Sequence, residues 1–434
     1  MASIRRPAPP GGAPGVTTPA LLAWILAGLC VQLLAGIVHA VLRYRRTHPR
    51  HAPAGAGPAP AVTGRTPALA LRLVERRLED PLGSQCSFSF VAADGQPLPA
   101  FQPGQFLTFD LRFTEDGQLQ RAARDGATPA GRAVTRCYSL SDRPGRDRLR
   151  ITVKRAPAPD APAGLAPGRV SNAFHDVLRE GDVLYAAAPA GDFRLDTAST
   201  SPVVLVAGGI GITPLLSMLL WIVDAQPARD VDLFLASPHR DAEPFGATLR
   251  ELQRTHRRFR LHRVHSRPLP DERAGQDHEA TGHIDIGLLQ RTLPDAHRQF
   301  YLCGPAGLLA SLVPALRAWG VPDADIHHEA FGPSSLPIPH AGTTSTGAGT
   351  TFTVRFARAG RTLSWDGSGS SLLDFAEQHH VALPSGCRAG NCGACETRVL
   401  DGGTRYPRKP SFTPAAGHCL PCVAVPTSDI TLDA

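Results

Sequence analysis

The sequence predicts a multidomain chain: a transmembrane helix, an antiparallel β-barrel, an α/β domain on a parallel sheet, and a small C-terminal domain around a metal site. Three observations predict it. Residues 19–42 contain no Asp, Glu, Lys or Arg, and about 20 apolar residues cross a bilayer core. Near residue 200, short alternating segments broken by Gly and Pro give way to apolar strands that alternate with helical patterns, the change expected between an antiparallel barrel and a parallel sheet. Cys387, Cys392, Cys395 and Cys422 crowd towards the C-terminal end.

Composition bounds the reading. The chain of 434 residues has room for about three ordinary domains, and 42 Gly with 41 Pro point to turns and linkers between them. A hydrophobic share of 42% excludes a disordered chain. The net charge of +7 is too modest to make nucleic acid the partner. Its largest local source is seven Arg from Arg250 to Arg267, interrupted by Phe259, Leu261 and Val264. That run reads as a strand with one solvated basic face, and a docking patch for acidic lipid or an acidic partner is the alternative. Nine cysteines spread through a long chain do not look like a secreted disulfide framework. Reduced thiols and a metal site fit better.

An N-terminal tail, 1–18, precedes the transmembrane helix at 19–42. Arg43, Arg45, Arg46 and Arg50 follow it whereas only Arg5 and Arg6 precede it, so the positive-inside rule puts the downstream domains in the cytoplasm, on a single-pass anchor in the cell membrane. The alternative is a signal peptide cut after Val38-His39-Ala40. That cut would leave arginines directly behind it, and the apolar run is longer than usual for a signal. Residues 43–66 are linker in composition. From 67 to 198 the segments ALALRLVERRL, SQCSFSFVAA, GQFLTFDLRF, RLRITVKR and DVLYAAAP form the barrel. From 199 to 333 the strands VVLVA, VDLFLA and QFYLC form the parallel sheet. The apolar stretch Val203 to Val223 is a strand, tight turn and helix there, because glycines punctuate it. Residues 334–350 are a second linker, and 351–434 are a unit of their own.

The strongest chemical signal is Cys387-x4-Cys392-x2-Cys395, followed after 26 residues by Cys422. This is the plant-type spacing for a 2Fe-2S cluster. Gly386, Gly390 and Gly393 let the loop turn tightly enough to aim N–H groups at cluster sulfurs. LPSGCRAGNCGACETRVLDG and LPCVAVPTSDITLD resemble plant-type ferredoxins over residues 351–434, which implies a β-grasp ferredoxin domain. In that family the fourth ligand stands four residues before P-x-S-D, here Pro426 to Asp429. The resemblance therefore implies Cys422 as ligand and Cys419 as a bystander.

Upstream, Arg136-Cys137-Tyr138-Ser139-Leu140-Ser141 contains R-x-Y-S on a barrel strand. Guanidinium offers a forked phosphate clamp and a phenol offers a flat face with a polar tip. Gly168-Arg169-Val170-Ser171 precedes a helical pattern, with Ser171 expected to cap it and its free N–H groups to hold a pyrophosphate. The strand Val203 to Ala207 runs into Gly208-Gly209-Ile210-Gly211-Ile212-Thr213-Pro214. There glycines admit a pyrophosphate to the backbone, Thr213 is expected to cap, and Pro214 to start a helix. Cys303-Gly304-Pro305 ends another strand, and Glu329-Ala330-Phe331-Gly332 closes the domain.

Residues 68–333 resemble the ferredoxin-NADP reductase superfamily. The resemblance implies that Arg136 meets the flavin phosphate, Tyr138 stacks on the isoalloxazine, and Ser139, beside Leu140, bonds near flavin N5. It also implies that Cys303 shapes the hydride-transfer site without acting as a nucleophile, with Gly304, Pro305 and Glu329 beside it, and that Phe331 lies by the flavin and yields to nicotinamide. VSNAFHD followed by APAGDF is similar to the reductase part of flavohaemoglobins, which favours FAD over FMN. Ser237 and Arg240 follow the second strand, where adenosine selectivity is set, and leave NADH and NADPH both open. The soluble domain order resembles oxygenase reductases of the phthalate and vanillate type. The expected function is NAD(P)H oxidation through FAD and a 2Fe-2S cluster towards a partner oxygenase, hydroxylase or desaturase. A stand-alone reductase of quinone or ferric chelates, and a flavin redox sensor without turnover, are the alternatives.

Overall fold

The computed structural model of the protein describes residues 69–434 except 115–118, 121–131, 146, 157–168, 331–350, 367–370, 387, 389, 391, 408, 409 and 411. The helix expected over 19–42, the linkers 43–66 and 334–350, and Gly168, Phe331 and Cys387 lie outside the described residues. Among the described residues no helix is long and apolar enough to cross a membrane.

The alternating segments form a seven-stranded antiparallel sheet: β1 (Leu69–Leu78), β2 (Gln85–Ala92), β3 (Phe106–Phe113), β4 (Leu119–Gln120), β5 (Arg132–Ser139), β6 (Leu149–Lys154) and β7 (Val183–Ala186). The order is β4-β3-β7-β1-β2-β6, with β5 paired to β3. A bridge between Leu140 and Ile151 also brings the end of β5 to β6. Period-two alternation sends Leu71, Leu73, Phe88, Phe90, Phe109 and Phe113 into one core. Helix α1 (Arg169–Asp176) closes it, with Phe174 edge-on to Phe88 at 5.3 Å and to Phe109 at 5.8 Å between ring centroids. Ser87 and Ser89 on β2 are buried as well, and their hydroxyls bond to Thr152 at 2.8 Å and Glu75 at 3.2 Å.

The second sheet is wholly parallel: β8 (Val203–Gly208), β9 (Val231–Ser237), β10 (Phe259–His265), β11 (Ala280–Thr281), β12 (Gln299–Gly304) and β13 (Ile326–Ala330), in the order β11-β10-β9-β8-β12-β13. Helices α2 (Ile212–Ala225) and α3 (Gly246–Thr255) pack on the face that carries Val203, Leu205 and Ala207; α4 (Ile286–Thr292) and α5 (Ala306–Ala318) pack on the face that carries Val204 and Val206. Cover on both faces explains why these strands read as unbroken apolar runs. From β8 the chain turns one way to β9 and the other way to β12. The crevice beyond the carboxyl ends of β8 and β12 is thus the switch point where open α/β sheets bind ligands.

The basic run on β10 departs from the expected solvated face. The strand lies inside the sheet, so Arg263 and His265 are buried, and only Arg260 is exposed. Buried charges need partners: Arg263 pairs with Glu279 at 2.7 Å, and Asp232 on β9 accepts from Arg260 at 2.8 Å and His262 at 2.9 Å. Burial alone would raise the Asp232 carboxyl, but Arg260 and His262 overrule it and hold it at about 2. A carboxyl lowered from an ordinary value of about 3.9 contributes stability in full above that value and loses it as pH falls towards 2, about 2 kcal/mol here. Asp232→Asn also strips the buried Arg298 guanidinium of its carboxylate 3.7 Å away. The expected cost is about 3 kcal/mol, seen as a lower Tm at pH 7 and a weaker acid dependence of Tm below pH 4.

The C-terminal unit joins β14 (Phe352–Phe356), β15 (Arg361–Trp365), β16 (Thr397–Asp401), β18 (His418–Cys419) and β20 (Ile430–Leu432) in the order β15-β14-β20-β16-β18; β17 (Thr404–Arg405) and β19 (Val425–Pro426) pair separately. The β14 and β20 strands run parallel and their other neighbours antiparallel. Helix α6 (Leu372–Gln378) begins where the Ser371 hydroxyl accepts from the Asp374 N–H at 3.1 Å, and buries Leu372, Phe375 and Ala376 on Val354, Phe356 and Ile430. The cysteine loop lies between this helix and β16.

Candidate functional site

Two turns build the crevice at the switch point. β8 passes into a 3-10 turn, Gly209–Gly211, that leads into α2, while β12 ends at Gly304 and Pro305 precedes α5. The turns touch. A methyl on Gly211 would stand 2.3 Å from the Cys303 carbonyl oxygen, and one on Gly208 would stand 2.6 Å from the Pro305 ring. Without side chains there, the start of α2 presents backbone N–H groups to the crevice, the arrangement that holds a pyrophosphate.

The expected caps differ from those observed. Helix α2 starts at Ile212 with Gly211 as its N-cap, because the 3-10 turn precedes it. Thr213 therefore sits inside the first turn, and its hydroxyl donates back to the Ile210 carbonyl at 3.1 Å. Pro214 follows within that turn, where no intrahelical N–H is required. Likewise α1 already includes Arg169, so Ser171 lies within its first turn and its hydroxyl accepts from Ala156 N–H at 3.3 Å. Val170 is buried in the core of the antiparallel sheet, leaving only its backbone for a ligand.

Cys303 is fully buried beneath the crevice, in register with Ala207 on one side and Glu329 on the other. Burial, and then the Glu329 carboxylate, push its thiol well above the ordinary range. A thiol kept protonated this way packs and does not attack.

On the other side of the crevice stands β5. Arg136 is exposed, Tyr138 is half-buried against Phe174 at 5.2 Å and Phe109 at 6.1 Å, and Ser139 and Leu140 are buried. Burial pushes the Tyr138 phenol up, so it remains a protonated donor. The end of this strand is fastened to the nucleotide-side helix: Ser217 on α2 donates to the Asp142 carbonyl at 2.6 Å. The turn Gly209–Gly211 also runs beside β6. Sequence reading missed Ser217, because a serine inside an apolar helix carries no signal of its partner 75 residues away.

In the C-terminal loop, the sulfurs of Cys395 and Cys422 lie 3.1 Å apart, and the Ala394 N–H points at the Cys392 sulfur at 3.5 Å. Cys419 lies on β18 in the core beside α6, and burial followed by Cys395 pushes its thiol to about 12. Cys395 and Cys422 pack with Leu373 and Leu420, whereas Cys419 packs in the core of the sheet. A methyl on Gly386 would stand 2.8 Å from the Cys392 sulfur. Converging thiols, a backbone donor and a cradle that a Cβ would fill suit a thiolate-held iron-sulfur cluster. That added methyl on Gly386 would also stand 3.6 Å from Thr135 Cγ2 on β5, so the cysteine loop abuts the strand that carries Arg136, Tyr138 and Ser139.

The chain carries two domains of known families. Residues 205–313 match the oxidoreductase NAD-binding domain, and residues 355–427 match the 2Fe-2S iron-sulfur cluster binding domain. A flavohemoprotein of Chromobacterium violaceum is 36% identical over 248 residues, 57% of this chain and 56% of that protein. The chain thus spans little more than half the length of the curated relatives it matches. The flavohem-like FAD/NAD-binding domain of a nitric oxide dioxygenase from Vibrio cholerae O1 biovar El Tor is similar in structure, with a TM-score of 0.51 and 28% identity over 61% of this chain and 99% of that one. An intact type IV self-sufficient cytochrome P450 monooxygenase covers 87% of this chain with 43% of its own, at 25% identity and a TM-score of 0.52. The chain therefore combines segments that match an oxidoreductase NAD-binding domain and a 2Fe-2S domain, and both follow an antiparallel sheet.

Proposed function

We propose that the protein is an NAD(P)H-dependent reductase that contains FAD and passes electrons through its 2Fe-2S domain to a partner oxygenase, hydroxylase or desaturase. One observation carries this reading: Ser217 ties the nucleotide helix to the end of β5, and the cysteine loop abuts β5 at Thr135. Nucleotide crevice, flavin strand and cysteine loop thereby adjoin in that order. When bound, nicotinamide supplies two electrons as hydride, flavin accepts them, and an iron-sulfur cluster takes one at a time.

The residues divide the work. Arg136 clamps the flavin phosphate and the start of α1, with Gly168, takes the pyrophosphate of FAD. Tyr138 lays its ring against the isoalloxazine and Ser139 donates near N5. Gly208, Gly209, Gly211 and the first turn of α2 hold the nucleotide pyrophosphate, while Cys303, Gly304 and Pro305 form the floor under the nicotinamide, with Glu329 at its edge, and Phe331 is the aromatic that yields its place by the flavin to nicotinamide. Cys387, Cys392, Cys395 and Cys422 hold the irons. Anaerobic stopped flow with NADH tests the order: flavin bleaching should precede cluster bleaching, followed by a rhombic EPR signal. A cluster that stays oxidised while flavin is reduced would sink the reading.

Arg240 supports NADH as the donor. Its guanidinium already pairs with Asp271 at 2.5 Å and Asp241 at 3.5 Å, so a 2′-phosphate would meet an occupied clamp and a carboxylate. Asp271→Asn should raise kcat/KM for NADPH relative to NADH about tenfold. An unchanged ratio in steady-state kinetics would remove Arg240 from nucleotide selection.

The apolar run 19–42 and the arginines behind it support a single-pass anchor with cytoplasmic catalytic domains, and hence a membrane-associated acceptor. Full-length protein that stays in the supernatant after detergent-free ultracentrifugation would count against the anchor.

A further inference from the structure

The C-terminal ends of β9 and β10 enclose a group of ionisable side chains with no part in the electron path. Glu243, His265, Glu272 and His278 are all buried, their side chains no more than 5% exposed. One Glu272 oxygen accepts the Arg240 N–H at 2.9 Å, while the other turns inward, 2.5 Å from His265 Nδ1 and 3.3 Å from His278 Nδ1. On the far side of the His265 ring, Nε2 faces a Glu243 oxygen at 3.6 Å. His265 Nε2, His278 Nδ1 and that Glu243 oxygen have no hydrogen-bond partner among the described residues. Two carboxylates are thus buried around two imidazoles. Arg250 reaches only the other Glu243 oxygen, at 3.5 Å, with its own side chain mostly exposed, and buried Arg263 is already paired with Glu279 at 2.7 Å.

Buried carboxylates and orphaned imidazole nitrogens call for a cation. One donor atom from each of His265, Glu272 and His278 lies within 4.8 Å of the others. Donors about 2.0 to 2.2 Å from one zinc-class ion stand roughly 3.3 Å from each other. The His278 to Glu272 spacing of 3.3 Å meets that already, and the His265 to Glu272 pair has to open by less than about 1 Å. Glu243 on the opposite nitrogen supplies the carboxylate that commonly orients a ligating histidine. We propose that His265, Glu272 and His278, with Glu243 behind His265, bind one zinc-class divalent cation through nitrogen and oxygen.

The ion fastens a functional edge. It joins the loop between β10 and β11 to the segment that carries Arg240 and Glu243, and that segment docks on the first sheet, where Phe245 N–H donates to the Glu79 carbonyl at 3.0 Å and Gln85 to the Ala242 carbonyl at 3.2 Å. Three protein donors leave the fourth position of a tetrahedral ion to a water molecule, and the burial of all three side chains suits an ion that holds the fold together.

Metal analysis of the full-length holoprotein, prepared with added Zn2+ and then desalted, tests this. About one zinc should accompany about two irons per chain. Zinc-edge X-ray absorption should show nitrogen and oxygen at about 2.0 to 2.1 Å, without the sulfur at about 2.3 Å that zinc in the cluster loop would give. His278→Gln should keep the iron and its visible spectrum, lose the zinc, and bind Zn2+ at least about tenfold more weakly. Iron without zinc in the wild-type protein, or zinc with a sulfur shell, would overturn the assignment; neither readout depends on the variant folding.

Discussion

Cys395→Ser is expected to stop electron exit while leaving nicotinamide oxidation in place. Cys395 is buried, its sulfur 3.1 Å from that of Cys422, and both pack with Leu373 and Leu420 under the loop. A serine hydroxyl at that position is a far poorer iron ligand than a thiolate. Loss of groups that merely support a ligand already costs about 10- to 100-fold in metal affinity or activity, so loss of a ligand should lower cytochrome c reduction by more than about 100-fold. Ferricyanide reduction by NADH, taken directly from the flavin, should stay within about twofold. The flavin strand and the crevice lie on other sheets, which is why the two assays should separate. Iron content and EPR check the cause. If both activities fall together with the flavin still bound, the exit does not run through this loop.

The features legible in the sequence are those whose signal is local. The cysteine spacing and its glycines form a loop by themselves, and Gly208 to Pro214 shows its strand, turn and helix in eleven or so residues around it. The antiparallel and parallel sheets could be told apart because alternation and unbroken apolar runs report how many faces are covered. What stayed hidden depends on partners distant in sequence. Ser217 gains meaning only from the Asp142 carbonyl, and Arg240 only from Asp271. The basic run on β10 was read from composition, which cannot tell an edge strand from an interior one, so buried Arg263 and His265 passed for a solvated face. The capping roles given to Ser171 and Thr213 failed for a different reason: helices began three and two residues earlier than the motifs suggest, and a side chain inside the first turn bonds differently from one ahead of it.

Gly211→Ala is expected to cripple nucleotide use without touching the flavin or the cluster. The added methyl meets the Cys303 carbonyl oxygen at 2.3 Å and carbon at 2.6 Å, and Gly304 Cα at 2.8 Å. These are backbone atoms of a strand paired on both sides, to β8 and to β13, so the β12 end cannot swing away as a flexible side chain would. Relief has to come from displacing the 3-10 turn and the start of α2, the N–H groups proposed to hold the pyrophosphate. A displacement near 1 Å in a positioned site costs about 100-fold, so kcat/KM for NADH should fall by that order. Strain in a packed core also costs about 1 to 3 kcal/mol, which should lower the Tm of this domain. Flavin occupancy, the visible spectrum of the cluster and dithionite-driven cytochrome c reduction should match wild type, because their groups lie on β5, α1 and the cysteine loop. Gly320→Ala, just past the far end of α5, is the paired control: a methyl there meets no atom within 4 Å, and the only penalty is its backbone angle of +94°, about 1 to 3 kcal/mol for a non-glycine residue. If both variants lose NADH turnover equally, the contact between the two turns is not what shapes the crevice.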